Sequence, residues 1–247
     1  MAIKIIKTAK PKLKKPILID GFPGLGLVGT VAASYLVEKL KMQPMGYIDS
    51  EQFPPLAAVH NYMPHYPARL YFSQKHNLII LLSEFIVPIS TVHELSEAIY
   101  SFAKKEKVSK IISLGGITIK GEQDMVYVIA SDDKLRLEME KLPNVQSIKE
   151  GATTGVTGVL LARGAVEKFP IISLLAEAHE EFMDPKAASM VLETLKGILK
   201  LDVNTHELEA ESAKIHEKMQ DVMDKAKASH AHYKKAEEKQ SLGPMYG

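Results

Sequence analysis

The sequence predicts an α/β fold: a layered sandwich around a mostly parallel or mixed central sheet. Three observations carry this. From about Pro16 to Leu201, short runs rich in β-branched residues alternate with stretches whose apolar residues recur at helical spacing. The run Leu78-Ile-Ile-Leu-Leu82 is apolar at every position, as a strand must be when helices cover both faces of its sheet. A glycine-rich turn, Gly21–Gly29, follows an apolar run and opens a helical one.

Taken in order, the strands are placed at Ile17–Asp20, Met45–Ile48, Leu56–His60, Ala68–Phe72, Leu78–Leu82, Ile111–Leu114, Met125–Ala130 and Ile171–Leu175. One helix begins at Ser90 or Thr91, either of which can cap it. It runs to Lys105 with Val92, Leu95, Ile99 and Phe102 on one stripe. Another starts at Asp184-Pro185, where Asp can accept first-turn N–H groups and Pro suits the first helical position, and continues to about Lys200. Beyond Leu201, Gly and Pro vanish until Gly243, and Asp202–Lys239 reads as a charged helix. Leu201, Leu208, Ile215 and Val222 recur every seven residues with Met219, Ala226 and Tyr233 at the companion spacing, but the remaining companions, Thr205 and Ser212, are polar. Such a narrow seam buries little by itself, so this helix should project from the body or pack on a sister subunit. The expected organisation is an α/β body over residues 1–201, a C-terminal helix over 202–239 and a flexible tail over 240–247.

Composition narrows the function. Of 247 residues, 46% are apolar and 25% charged, enough for a sizeable core. Lys and Arg total 31 against 30 Asp and Glu, so a general nucleic-acid binder, whose affinity rests on neutralising phosphates, is not expected. The absence of cysteine excludes disulfides, Cys-ligated zinc, iron–sulfur clusters and thiol nucleophiles. No segment reaches the roughly 20 apolar residues that span a bilayer, so no membrane partner is expected. Lys4, Lys7, Lys10, Lys12, Lys14 and Lys15 precede an apolar stretch that Asp20 and Gly21 cut short, which is no secretory signal. They read as a soluble flexible arm able to steer an acidic partner. A cytoplasmic protein is expected.

Gly24, Gly26 and Gly29 spell G-x-G-x-x-G after a strand and before a helix. In a dinucleotide fold these glycines admit a pyrophosphate, and Asp49 could take the ribose hydroxyl. The intervening Phe22, Pro23, Leu25, Leu27 and Val28 suit a tight strand–helix junction or a subunit contact equally well. His60-Asn-Tyr-Met-Pro-His65-Tyr66 gathers imidazoles and phenols, but Pro54, Pro55 and Pro64 favour an irregular exposed segment that makes a protein contact. Glu177-Ala-His179-Glu180-Glu181 reads as a solvated acidic loop, and no metal site is expected there. His93-Glu94 lacks the second histidine of a zinc protease helix, and neither G-x-S-x-G nor G-x-x-x-x-G-K-[ST] occurs.

The string Gly21-Phe22-Pro23-Gly24-Leu-Gly26-Leu-Val-Gly29, with the later loop Gly151-Ala-Thr-Thr-Gly155-Val-Thr-Gly158 leading into Val159-Leu-Leu-Ala162, resembles the family of the second proteasome assembly chaperone, especially its archaeal members. The likeness covers about Lys15 to Leu201. It implies a sandwich of the nucleoside phosphorylase type, a binding protein with no established catalysis and no cofactor, and glycine loops that form the fold or an interface. The last residues, Met245-Tyr246-Gly247, are similar to the hydrophobic–tyrosine–any-residue tails by which proteasome activators and assembly factors enter pockets between core-particle α subunits. That resemblance implies a terminal carboxylate paired with a pocket lysine, the Tyr246 ring in an amphipathic slot and Met245 as an adaptable apolar contact. A buried tyrosine covers about 150–250 Å² and contributes roughly 4–6 kcal/mol gross. Ordering three residues costs about 1–2 kcal/mol each. One tail therefore binds weakly, and a homo-oligomer with several tails binds firmly. The expected partners are α subunits, with a homologous assembly chaperone as a further candidate. The alternative from another class is a nucleotide- or nucleoside-binding enzyme using Gly24–Gly29.

Overall fold

A computed structural model describes residues 3–118, 125–178, 183–205, 207, 208, 224, 225 and 228. Its strands are β1 (Lys4–Lys7), β2 (Ile17–Gly21), β3 (Gln43–Asp49), β4 (Ala58–His60), β5 (Met63–His65), β6 (Ala68–Ser73), β7 (Leu78–Ser83), β8 (Lys110–Ile117), β9 (Val126–Ala130), β10 (Val145–Ser147) and β11 (Ile171–Glu177). Its helices are α1 (Val28–Lys39), α2 (Val92–Lys105), α3 (Asp133–Met139), α4 (Gly155–Glu167) and α5 (Pro185–Leu199). Nine strands form one sheet in the order β1-β3-β6-β7-β2-β8-β11-β9-β10, and β4 and β5 form a separate hairpin.

The centre of the sheet is parallel, through the pairs β7–β2, β2–β8 and β8–β11. On its flanks β6 and β9 run antiparallel to β7 and β11. The mixed sheet is the one that the alternating pattern predicts. Every residue of β7 is buried, because helices cover both sides. The first layer packs α1 and α5 on Ile19, Ile80, Ile112 and Leu174. The second packs α2 and α4 on Leu18, Leu81, Ile111 and Ile171. Successive residues of one strand serve opposite layers, as the two-residue pleat requires. Each fully buried Leu or Ile contributes about 1.5–3 kcal/mol.

The Asp184 cap forms as expected, its Oδ1 accepting from the Ala187 N–H at 2.9 Å. The expected cap of α2 does not. A short 3₁₀ turn, Ile89–Thr91, precedes that helix, and the Thr91 hydroxyl donates back to the Pro88 carbonyl instead. The supposed irregular segment around His60 is an antiparallel hairpin, with Asn61 and Tyr62 in the left-handed region at its turn (φ 50° and 66°). Leu56–His60 therefore contributes β4 to this hairpin and nothing to the central sheet. Lys4 and Lys7 lie in edge strand β1, and the Lys7 ammonium meets Glu106 Oε1 at 2.5 Å, so the arm is ordered rather than flexible over these residues.

After α5, Leu201–Thr205 are not helical, and Leu201, Val203 and Leu208 are buried in the first core. The Tyr35 hydroxyl donates to the Asn204 carbonyl, which fastens this segment to α1. The first two heptad positions, Leu201 and Leu208, thus pack on the body. The rest of the helix expected to reach Lys239 lies, apart from residues 224, 225 and 228, outside the described residues, as does the tail.

Candidate functional site

The glycine loop leaves β2 between the two layers. Phe22 packs on the second core and Leu25 and Leu27 on the first. Gly29 rests directly on strand β8, where an added Cβ would lie 2.1 Å from the Leu114 carbonyl oxygen. Gly26 takes φ 60°, and its carbonyl accepts from the Asp184 N–H at 2.9 Å, joining the loop to the start of α5. Its own Cβ would meet those of Ala178 and Asp184 at 2.8 and 3.1 Å. The space that a pyrophosphate would need beside Gly26 and Gly29 is filled by the chain itself. Gly24 alone has open space around it. Asp49 ends β3, three strands from β2, a separation of roughly 14 Å, and is not brought to the loop.

The second glycine segment belongs to the other layer. Helix α4 begins at Gly155, so Gly155 and Gly158 occupy its first turn and only Gly151 lies in the preceding loop. Close approach explains Gly158, whose Cβ would stand 2.5 Å from the Thr153 carbonyl oxygen. The two glycine segments thus start helices on opposite faces of the sheet.

Between them lies a polar row that no motif marks. Asp20, Ser113 and Ser173 pair across β2, β8 and β11 in one register and point into the second layer. The Ser113 hydroxyl donates to Asp20 Oδ2 at 2.6 Å, while Asp20 Oδ1 and Ser173 Oγ have no partner. Burial pushes the Asp20 carboxyl up to about 7, with the serine hydrogen bond opposing it. The one sequence signal is an acid closing an apolar run.

A different acid lies beneath the hairpin. Glu84, just after β7, is buried, with His60 Nε2 2.8 Å from its Oε1 and Arg69 Nη2 2.7 Å from its Oε2. Neither His60 Nε2 nor Glu84 Oε2 is aligned for a hydrogen bond, so the Arg69 guanidinium meets Glu84 mainly as a charge. His65 stands opposite, its ring 6.0 Å from that of His60. Partial burial and then the Arg69 and His60 charges hold it below the usual imidazole range. These groups line a hollow of about 260 Å³ shared with Ser34 and Tyr71. The hairpin's outer side exposes Val59, Tyr62 and Met63, and Tyr66 stacks on Tyr47 at 3.9 Å.

Among the described residues, no group of three or more His, Cys, Asp or Glu is arranged to hold a metal ion, and no helix is long and apolar enough to cross a membrane. Arg69 occupies the place beside Glu84 that a cation would need. Glu177 ends β11, but His179, Glu180 and Glu181 lie outside the described residues, as do Met245, Tyr246 and Gly247.

A tight strand–helix junction built on glycine, a second glycine turn across the sheet and a parallel centre with mixed flanks are a distinctive set. The PAC2 family model matches residues 18–223. The chain belongs to the PAC2 family. A Methanocaldococcus jannaschii protein described as uncharacterized is 30% identical over 99% of this chain and 98% of its own length. Among solved structures, Pyrococcus furiosus PbaA, described as an archaeal homolog of proteasome-assembly chaperone, is 31% identical with a TM-score of 0.81, covering 92% of this chain and 99% of that one. Pyrococcus furiosus PbaB, described as an archaeal proteasome activator, is 27% identical with a TM-score of 0.75, covering 90% and 98%. In this PAC2 protein the dinucleotide-like motif is a packing device over most of its length.

Proposed function

We propose that the protein is a non-catalytic, cytoplasmic proteasome assembly chaperone or activator that binds core-particle α subunits through Met245-Tyr246-Gly247. The observation that carries the reading is the PAC2 membership together with likeness to PbaA and PbaB over nine-tenths of the chain. The glycine loop supports a binding role over a nucleotide enzyme, since the chain fills the phosphate position. In this reading residues 1–201 form the body, on which Val203 and Leu208 also pack, the rest of 202–239 a projecting helix and 240–247 the tail. Gly21–Gly29 and Gly151–Gly158 hold the body's architecture or its subunit contacts, no metal or cofactor takes part, and a homologous chaperone is a further candidate partner. The protein acts as a homo-oligomer, because one three-residue tail binds weakly and several on one particle add through effective concentration.

Deleting Met245–Gly247, or substituting Tyr246→Ala, is expected to abolish binding to isolated proteasome α rings, measured by biolayer interferometry. The oligomer mass by light scattering should stay unchanged. Binding that survives both changes removes the tail from the mechanism.

A further inference from the structure

The near-neutral net charge conceals a polarised molecule. Strands β2, β7, β8 and β11 all start at one end of the sheet, and the connections that lead into them carry exposed lysines: Lys12, Lys14 and Lys15 before β2, Lys75 before β7, Lys107 before β8 and Lys168 before β11. The same four connections contain a single acid, Glu106, and Lys7 already takes its carboxylate. Among the described residues none of these six lysines forms an ion pair. Of the acids adjoining this end, Asp132 caps α3, Asp133 pairs with Arg136 and Glu167 with Arg163, while Asp202, two residues past Lys200, is exposed.

The surface is built rather than frayed. The Lys14 N–H donates to Asn77 Oδ1 at 3.0 Å, and Asn77 Nδ2 donates to the Lys14 carbonyl at 2.7 Å. The Ser109 N–H donates to the Pro16 carbonyl at 2.8 Å, and the Ile111 N–H to the Pro170 carbonyl at 3.0 Å. Adjacent connections are thereby tied side by side, with their ammonium groups on the solvent side.

Backbone conformation argues that charge at this end is chosen. The four long helices α1, α2, α4 and α5 all return to it, and each gives way to a lysine in the left-handed region: Lys41, Lys107, Lys168 and Lys200, at φ 47°, 56°, 56° and 52°. Glycine is the usual residue there because a side chain is strained. Interaction of a cation with the helix dipole explains part of this choice. It does not explain Lys15, which is also left-handed at φ 47°, nor Lys12, Lys14 and Lys75, since all four adjoin strand starts rather than helix ends.

We propose that this end of the sheet is a docking face for an acidic protein surface. Polyphosphate fits less well. The chain's three arginines, the residues suited to bidentate phosphate contact, are all consumed elsewhere: Arg69 by Glu84, Arg136 by Asp133 and Glu140, and Arg163 by Glu97 and Glu167. Exposed tyrosines that could stack on bases, Tyr62 and Tyr66, belong to the hairpin beside Glu84, at the finishing end of β7. The face lies on the body and does not rest on the tail, so either assignment can fail without the other.

The test uses the full chain and fluorescently labelled poly-L-glutamate, with single-stranded DNA of equal charge as the competing probe. Anisotropy should show poly-L-glutamate binding that weakens as NaCl rises, with DNA bound less tightly. The variant Lys12→Glu/Lys14→Glu/Lys168→Glu should lose about tenfold or more in affinity. Lys4→Glu/Lys141→Glu/Lys186→Glu, with the same change in net charge away from these four connections, should stay within about twofold. The milder set Lys12→Gln/Lys14→Gln/Lys168→Gln serves if the reversal fails to fold. No binding by the parent chain, equal losses in the two triple variants, or preference for DNA would each overturn the proposal.

Discussion

Asp20 and Glu84 sit at the finishing ends of neighbouring parallel strands, and both are almost wholly withdrawn from water, at 1% and 3% exposure. The protein treats them in opposite ways. Glu84 receives a guanidinium and an imidazole. Asp20 receives one hydroxyl, leaves an oxygen unpartnered and has its carboxyl pushed up to about 7. The difference follows from location. Glu84 lies under the hairpin, where β6 delivers Arg69 and the hairpin brings His60, whereas Asp20 lies inside the α2–α4 layer among residues with no cation to offer. A buried charge is kept by pairing it and a buried acid without a partner is kept by protonating it, because in a low-dielectric interior those are the two affordable states.

The strongest way to break the comparison is to make Glu84 resemble Asp20. Arg69→Met removes the cation and keeps most of the apolar stem, stranding a carboxylate in the interior. A loss of about 3–5 kcal/mol is expected in denaturant unfolding. A loss below about 1 kcal/mol would show that His60 alone holds Glu84 or that water reaches it.

The second perturbation removes the titration of Asp20. Its folded value, about 7, lies above the 3.8 of the free side chain. Between these values the native state holds more protons than the unfolded chain, so the stabilising contribution is full below pH 3.8 and is lost as pH rises through about 7. Asp20→Asn keeps the shape without the charge. Its stability relative to the parent should therefore grow with pH, by about 2–3 kcal/mol from pH 5 to pH 8. A constant difference across that range would mean that Asp20 does not titrate there.

The same two acids mark where sequence reading stops. Leu78–Leu82 and Ile17–Asp20 were legible because a strand covered on both faces has no polar side to disguise it. Asp184-Pro185 was legible because a cap is a local rule. An acid closing an apolar run, however, reads equally as the first residue of a loop, and only the fold decides between these. Arg69 reaches Glu84 because the β6–β7 pairing sets Arg69 opposite Leu82, a register no local pattern states. Edge strands β1 and β10 and the Pro-containing β5 are short and carry polar or proline positions, so their alternation is too brief to recognise. The first two positions of the seven-residue repeat show the opposite case. Leu201 and Leu208 are spaced like a seam, yet their burial comes from the body's first core. The glycine motif supplied the spacing of a nucleotide loop, while the Leu114 carbonyl pressed against Gly29 decides its use.

Ser113→Ala gives the smallest and most discriminating change. The serine hydroxyl donates to Asp20 Oδ2 and is the one group that favours the ionised form there. Its removal costs about 1 kcal/mol where Asp20 is charged, and less where it is protonated. Unfolding measured at pH 8 should therefore show a larger loss than at pH 5, and the pH at which stability falls should move above about 7. When Ser113→Ala is combined with Asp20→Asn that pH dependence should vanish, since no carboxylate remains for the hydroxyl to favour. A midpoint that moves down instead would mean that Ser113 accepts the acid's proton in the native state, which reverses the hydrogen bond and makes the pair a partner of the neutral acid.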